Sequence, residues 1–349
     1  MIAALHERGV LAALGAALLF GGGTPFAKKL LEAVDPWLLA GLLYAGSGVG
    51  LFVLRRIVRG PRVAMSRNDA LWLGAAIVSG GVVGPALLML GLSSMPASGA
   101  SLLLNAEGAF TALLAWFAFK ENFDRRIALG MALIVAGAIV LSWPGEARFG
   151  AALPALAVVG ACFAWGLDNN FTRKVALNDA TFIAMAKGLI AGTTNIALAL
   201  LAGAKLPGMA TAAGAAVLGF LSYGLSLALF VLALRELGTA RTGAYFSTAP
   251  FAGAVLALLL LGEPMTVQLA IAGLLMAAGV WLHLSERHEH RHRHVALTHE
   301  HDHEHDEHHR HRHDPPLAAG ERHSHSHKHE PMRHSHPHYP DSHHRHDHS

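Results

Sequence analysis

Ten apolar runs, most of them separated by short connectors, occupy roughly residues 9–28, 36–54, 70–92, 97–119, 126–143, 151–172, 180–202, 211–234, 241–261 and 267–284. A helix needs about 20 predominantly apolar residues to cross the ~30 Å hydrocarbon layer of a bilayer. Lipid offers the backbone no hydrogen-bond partners, so a crossing segment must be a helix or a strand of a closed barrel. The alternating ten-residue pattern of barrel strands does not occur, which leaves helices. The sequence therefore predicts an all-α membrane protein of about ten transmembrane helices. Composition agrees once the chain is divided. The 349 residues are 53% hydrophobic and 15% charged, with mean hydropathy +0.39, but the stretch after Glu286 is almost wholly polar. What precedes it is far more apolar than a soluble domain, where about 25% of residues are charged.

A pI near 9.2 would suggest a nucleic-acid partner in a soluble protein. Here the basic residues sit in the connectors, where they orient the spans instead, and no nucleic-acid partner is expected. With the N-terminus inside, the inner side holds Arg8, Arg55, Arg56, Arg59, Arg62, Arg67, Lys120, Arg125, Arg126, Arg173, Lys174, Arg235 and Arg241. The outer side holds Lys28, Lys29, Arg148 and Lys205. That bias predicts both termini in the cytoplasm, with the dense run Arg55–Arg67 setting topology and touching anionic lipid. The single cysteine, Cys162, excludes an intramolecular disulfide framework and is read as a packed core residue. Val10–Phe20 is apolar but runs on through Gly21–Thr24 without a cleavage pattern, so no cleavable signal is expected.

The chain repeats itself at a spacing of 142–145 residues. Phe20-Gly21 and Phe26-Ala27-Lys28-Lys29 match Trp165-Gly166 and Phe171-Thr172-Arg173-Lys174; FTALLAWFAFKEN around Glu121 matches FAGAVLALLLLGEP around Glu263; Gly137 falls opposite Gly279. Five spans per repeat is odd, so the two halves must lie upside down relative to each other, the arrangement of many secondary transporters. The segments ALLAWFAFKENFDRRIALGMALIVAGAIVLSW and AVLALLLLGEPMTVQLAIAGLLMAAGVWL resemble the EamA family of the drug/metabolite transporter superfamily. The resemblance spans about residues 9–285. It implies proton- or exchange-driven movement of small metabolites, commonly export, across a bacterial inner membrane. The expected division is 1–143 for the first five-helix repeat, 144–285 for the second, and 286–349 for a tail.

Polar groups inside the apolar runs are the candidate site. Asn105 and Glu107 stand near the middle of Ala97–Glu121, where an ionisable side chain costs about 2.5–3.5 kcal/mol on insertion scales. Glu107 falls opposite Pro250, so it has no twin in the second repeat. It either pairs with the Asn105 amide or exchanges a proton, or holds a cationic solute, as a cavity changes sides. Lys187 lies about seven residues into its run and can pair with Glu107, meet an anionic group of the solute, or snorkel to water. Gly21-Gly22-Gly23-Thr24-Pro25 is expected to interrupt its helix. In the matching place stand Asp168, Asn169 and Asn170, either a binding site between interrupted segments or a plain helix end. Asn195, Trp165, Tyr223 and Tyr245 are further cavity candidates. Gly46 with Gly50, and Gly80 with Gly84, carry the small-residue spacing of close helix packing. Glu121 and Glu263 recur at span ends, where capping the following helix, or pairing with Arg125 or Arg126, accounts for them, and His283 is read as an interface residue.

The tail holds 23 of the 25 histidines. It has almost no core-forming residues and is expected to be disordered and cytoplasmic. Histidine alternating with carboxylates suits zinc, nickel, cobalt or copper, with His299, His301, His303, His305, His308, His309, His311, His313, His323, His325 and His327 as the candidate ligands. The loose spacing specifies no single tetrahedral site.

Three functions compete. One is a secondary transporter of a small organic solute, needing no cofactor, whose tail buffers or senses metal. Another is a divalent transition-metal exporter, against which the apolar runs count, since they offer mainly Glu107 and Asp168 as ligands. The third is a metal-responsive membrane protein that merely anchors its tail. No Ser/His/Asp set, zinc-ligand spacing or phosphate-binding glycine motif points to an enzyme. Self-association into a homodimer is left open.

Overall fold

The computed structural model describes residues 2–60, 63, 65–117, 125–142, 152–175, 179–237, 242, 245–284, 289–293, 298–303, 323–328 and 333–337. The chain divides into two units, Met1–Glu286 and Arg287–Ser349. The first is all-α. Its helices are α1 (Ile2–Leu30), α2 (Pro36–Ile57) and α3, which is α-helical over Arg67–Ala76, π-helical over Ile77–Val83 and α-helical again over Gly84–Ser93. Next come α4 in two pieces (Ala97–Leu103 and Ala106–Phe117), α5 (Arg125–Ser142), α6 (Leu153–Val175) and α7 (Ala180–Leu201). In α8, Met209–Gly219 and Ser226–Leu237 flank a π-helical Phe220–Leu225; α9 (Ala249–Leu261) and α10 (Val267–Leu284) complete the unit.

The starts of these helices are written in the sequence. Asp35 accepts hydrogen bonds from the backbone N–H groups of Trp37 and Leu38, with Pro36 supplying a preset first helical residue. Ser66 caps α3 through Asp69 N–H, and Asp179 caps α7 through Phe182 N–H. Among the described residues, five helices are each long and apolar enough to cross a membrane unaided: Arg8–Leu30, Pro36–Ile57, Arg67–Ser93, Ala180–Leu201 and Met209–Phe230. Of the other helices, α5, α9 and α10 hold shorter apolar stretches (Ala128–Leu141, Ala249–Leu261 and Val267–Leu282), α4 is broken, and α6 carries Asp168, Asn169, Asn170, Arg173 and Lys174. The outer faces bear large exposed apolar side chains such as Leu18, Phe52, Leu201, Leu259 and Leu274, as a lipid solvent requires.

The two repeats interlock rather than stand side by side. Gly48 of α2 lies against Gly188 and Leu189 of α7, while Gly192 of α7 lies against Ala45 of α2, so these antiparallel helices meet backbone to backbone. Gly137 of α5 meets Ala272 and Met276 of α10, and its counterpart Gly279 meets Gly130 and Ile134 of α5. Gly21 of α1 lies against Ala249 and Gly253 of α9, and its counterpart Gly166 of α6 against Phe110 and Thr111 of α4. Each contact has a reciprocal partner, which is the signature of two halves related by an approximate two-fold axis. Two irregularities obey the same relation: the π-turns begin at Ile77 and Phe220, and α4 breaks at Leu104–Asn105 where α9 is entered through a turn at Ser247–Thr248. Both pairs are 143 residues apart.

Three expectations need correction. Ala97–Glu121 is not one continuous helix, because its first piece ends at Leu103. Conversely, α1 is unbroken through Gly21–Pro25. Pro25 removes the N–H that would pair with the Gly21 carbonyl, but that carbonyl faces the backbone of Gly253, whose missing side chain leaves it room. The tail, expected to lack regular structure, contains two antiparallel pairs. β1 (Glu289–Arg293) pairs with β4 (Arg333–Pro337), and β2 (Thr298–His303) with β3 (His323–Lys328). Alternation of histidine with Ser, Asp or Glu has the period of a strand, so an extended ladder accommodates it. Two-stranded ladders with no apolar face are marginal in water, which agrees with the tail's inability to build a core. His305, His308, His309, His311 and His313, like Glu121, lie outside the described residues.

Candidate functional site

Three consecutive polar residues of α6 are divided between two neighbouring helices, because successive helical residues are turned by about 100°. Asp168 faces α7: the Lys187 Nζ lies 2.6 Å from both of its carboxylate oxygens. Thr172, one turn on, donates to Asp168 at 2.8 Å and accepts from Lys187 at 3.2 Å. Asn169 faces α4 and donates to Glu107 at 2.9 Å and to the Thr111 hydroxyl at 3.1 Å. Asn170 donates to the Thr111 carbonyl and the Gly166 carbonyl, bracing α6 on α4. Asp168 and Lys187 are buried at 5% and 9% exposure, whereas Asn169 is exposed. The ion pair is thus sealed inside, whereas Glu107 is half-buried beside the exposed Asn169.

Glu107 owes its position to the break in α4. It sits in the first turn of Ala106–Phe117, where the helix dipole favours a carboxylate. Asn105 does not pair with it. The Asn105 amide donates to the Leu102 carbonyl at 3.0 Å and approaches the Met276 sulfur at 3.9 Å, so it serves the broken turn and faces α10. Nor does Lys187 pair with Glu107 or snorkel: Asp168, nineteen residues earlier and on the adjoining helix, takes it. Such a pair is weak support for stability, because desolvation offsets much of the attraction. An ionised pair inside a membrane span is more often part of a solute or ion pathway.

The π-turn of α3 joins this cluster. A π-helical turn misaligns backbone carbonyls from their usual donors, and here side chains from three helices supply the donors. The Gly80 carbonyl accepts from the Tyr44 hydroxyl and from the Trp165 indole, each at 2.8 Å. The Gly81 carbonyl accepts from the Asn195 amide at 3.0 Å, and Asn195 in turn accepts from the Trp37 indole at 3.0 Å. Asn195 is therefore fully engaged as a brace. Trp165 and Tyr223 both flank Phe20, at ring-centroid distances of 6.4 and 5.8 Å, and Tyr223 continues to Tyr44 at 5.3 Å. Tyr245 is elsewhere, packed beside Val10, Leu229 and buried Ala12, Ala13 and Ala233. Cys162 is buried, its thiol donating to the Leu103 carbonyl at 3.5 Å beside the break in α4.

Two groups at span ends complete the polar inventory. Glu263 accepts from the N–H groups of Ala97 and Ser98, at 2.7 and 2.9 Å. It caps the start of α4 in the other repeat rather than the helix that follows it. Arg55, at the end of α2, pairs with Asp179 and Thr181 at the start of α7 and stacks over Phe182 at 5.7 Å. Burial pushes the Asp179 carboxyl up, but hydrogen bonds from Thr181 and Phe182 N–H, together with Arg55, outweigh it and hold the group below the usual aspartate range. Sequence reasoning missed Trp37, Tyr44, Thr111 and Thr172. Thr172 alone left a trace, standing one turn after Asp168.

An interlocked pair of inverted five-helix repeats, with an ion pair and a lone carboxylate at its polar centre, defines a multi-pass membrane protein of the transporter class. The EamA-like transporter family matches residues 7–143 and again residues 152–285. The chain belongs to that family. A protein of Methanothermobacter thermautotrophicus described as an "Uncharacterized transporter" is 29% identical over 297 residues, which cover 78% of this chain and 85% of that one. A "Probable amino-acid metabolite efflux pump" of Salmonella typhimurium is 29% identical over 207 residues, 54% of this chain and 68% of that one. A protein of Pseudomonas fluorescens described as a "Probable 4-amino-4-deoxy-L-arabinose-phosphoundecaprenol flippase subunit" is 31% identical over 105 residues, 30% of this chain and 91% of its own. A crystal structure with 18% sequence identity covers 79% of this chain and 96% of its own at a TM-score of 0.60; it attests the fold.

Proposed function

We propose that the protein is a secondary active transporter that moves a small organic metabolite by alternating access, with Glu107 as the group that takes a proton or the cationic part of the solute. The observation that supports this reading is the unequal treatment of two neighbouring carboxylates. Asp168 is paired with Lys187 and buried, whereas the half-buried Glu107 has the uncharged, exposed Asn169 amide as its hydrogen-bond donor. The site therefore has room for one more positive charge. Resemblance to a metabolite efflux pump favours export, and the excess of Lys and Arg in alternate connectors favours both termini in the cytoplasm of a cell with this chain in its inner membrane. The tail histidines gather zinc, nickel or cobalt from the cytoplasm and are not part of the solute path.

One experiment tests these statements together. Purified protein in proteoliposomes is given a panel of metabolites and divalent metals, with and without a pH gradient. Glu107→Gln is expected to insert normally and to lose coupled flux. The chain lacking residues 286–349 is expected to keep organic-solute flux. Wild-type flux and pH dependence in Glu107→Gln would remove that residue from the mechanism, and loss of all flux on tail deletion would favour a metal exporter.

A further inference from the structure

The contact between Gly80 and Asp168 goes beyond helix packing. A Cβ at residue 80 would occupy the space of the Asp168 side chain itself, overlapping its Cβ, Cγ and Oδ2. Asp168 can stand where it does because α3 presents bare backbone at that point. The same backbone is held from two other sides, since the Gly80 carbonyl is the acceptor of both Tyr44 and Trp165. Tyr44 comes from α2, Trp165 from the turn of α6 that precedes Asp168, and the element between them is a π-turn, a rare form found mostly as single turns within α-helices. The other half of the molecule solves the same junction the opposite way. At the matching place on α1 stands Gly23, and a Cβ there would come within 2.8 Å of the Ser222 hydroxyl and 2.9 Å of its Cβ. There α8 supplies the side chain and α1 the gap. The two-fold relation is thus broken at one point, and a carboxylate is what fills it.

We propose that Tyr44 and Trp165 are positioning residues that, by sharing the Gly80 carbonyl, press the π-turn of α3 against Asp168 and keep that carboxylate on Lys187. Their role is to silence one of the two acids beside the path, so that Glu107 alone meets proton or solute. The functional consequence rests on the transporter reading above, but the placement of Asp168 does not. A carbonyl oxygen has two lone pairs, so either donor alone still satisfies it. Loss of both orphans a buried acceptor and frees the turn. The two substitutions must therefore act together rather than additively.

Carbodiimide labelling reads this without any transport. Dicyclohexylcarbodiimide enters membranes and adds to a protonated carboxyl group: the acid proton moves to one nitrogen, the acyl group ends on the other, and nothing leaves. Full-length protein in detergent is treated, digested, and the adducts on the peptides containing Asp168 and Glu107 are measured by mass spectrometry. Wild type, Trp165→Phe and Tyr44→Phe are expected to give little adduct at Asp168, and the double variant roughly tenfold more, the scale set by orphaning a buried carbonyl. The Glu107 adduct is expected to stay constant. Unchanged Asp168 labelling in a folded double variant overturns the proposal, as does an equal rise at both acids, which would mean general loosening. If the double variant does not fold, Gly80→Ala decides: it keeps both donors and the acceptor but evicts the Asp168 side chain, and protection of Asp168 in that variant overturns the proposal. A failed Glu107→Gln transport test would leave these labelling outcomes as they are.

Discussion

Removing Lys187 tests the buried ion pair most directly. In Lys187→Met the aliphatic stem is roughly conserved, but Asp168, at 5% exposure and with Thr172 as its remaining side-chain donor, keeps a charge with no counter-ion. Stripping one member from a buried pair costs about 3–5 kcal/mol, much of it the penalty of leaving the other charge desolvated. At a few degrees per kcal/mol, the melting temperature should fall by about 10 °C. Asp168→Asn in the same chain removes the stranded charge and leaves an amide that Thr172 can still reach. The double variant Lys187→Met/Asp168→Asn should therefore recover most of the loss and melt above either single variant. Thermal denaturation in one detergent, followed by size-exclusion of the surviving monodisperse protein, measures the series. If Lys187→Met melts with wild type, or if the double variant is as unstable as the sum of its parts, the pair is not the sealed, mutually dependent unit described above.

Two further outcomes follow from the span ends. Glu263→Ala should destabilise the protein by about 1 kcal/mol through loss of the cap on α4, with amide exchange at Ala97 and Ser98 accelerated; protected amides there would refute the inter-repeat cap. Asp179 is held below its ordinary value, so the native state binds its proton less readily than the unfolded chain. Its contribution is fully present at neutral pH, begins to fade near the ordinary aspartate value of about 3.9, and is lost as pH falls through its lowered value. Asp179→Asn should flatten that acid limb of a stability–pH curve, and an unchanged limb would show that Arg55 and Thr181 do not act through it.

Helix number and limits were legible because bilayer thickness leaves little freedom in the length of an apolar run. The run 36–54 became Pro36–Ile57, and 267–284 became Val267–Leu284. Interruptions were not legible. Leu102-Leu103-Leu104-Asn105 contains neither glycine nor proline, yet α4 breaks there. Gly21–Pro25 contains both, and α1 continues because Gly253 on another helix receives the carbonyl that Pro25 releases. Breaks of this kind are decided by neighbours, which local sequence does not name. The same holds for side-chain pairing. Glu107, Asp168, Asn169 and Lys187 could each be picked out as polar groups in apolar surroundings, but the choice of Asp168 over Glu107 as the partner of Lys187 depends on how α6 and α7 pack. The π-turn, which recruits Tyr44, Trp165 and Asn195, had the adjacent glycines Gly80 and Gly81 as its faint sequence trace.

That π-turn also sets the rotational phase of everything after it. Relative to a regular helix, a π-bulge accommodates an extra residue, and one residue is about 100° of rotation. Gly84, against the Trp165 ring, and Gly91, against Pro154 and Val158, both lie downstream. Without the bulge these two glycines would swing a quarter-turn away, and bulky neighbours such as Val83 or Leu90 would be carried toward the bulk of α6. The seven residues Ile77–Val83 thus act as a phase shifter within α3. They let one helix present glycine to Asp168 in its middle and glycine to α6 in its second half, two demands that a uniform 3.6-residue repeat could not meet with this sequence.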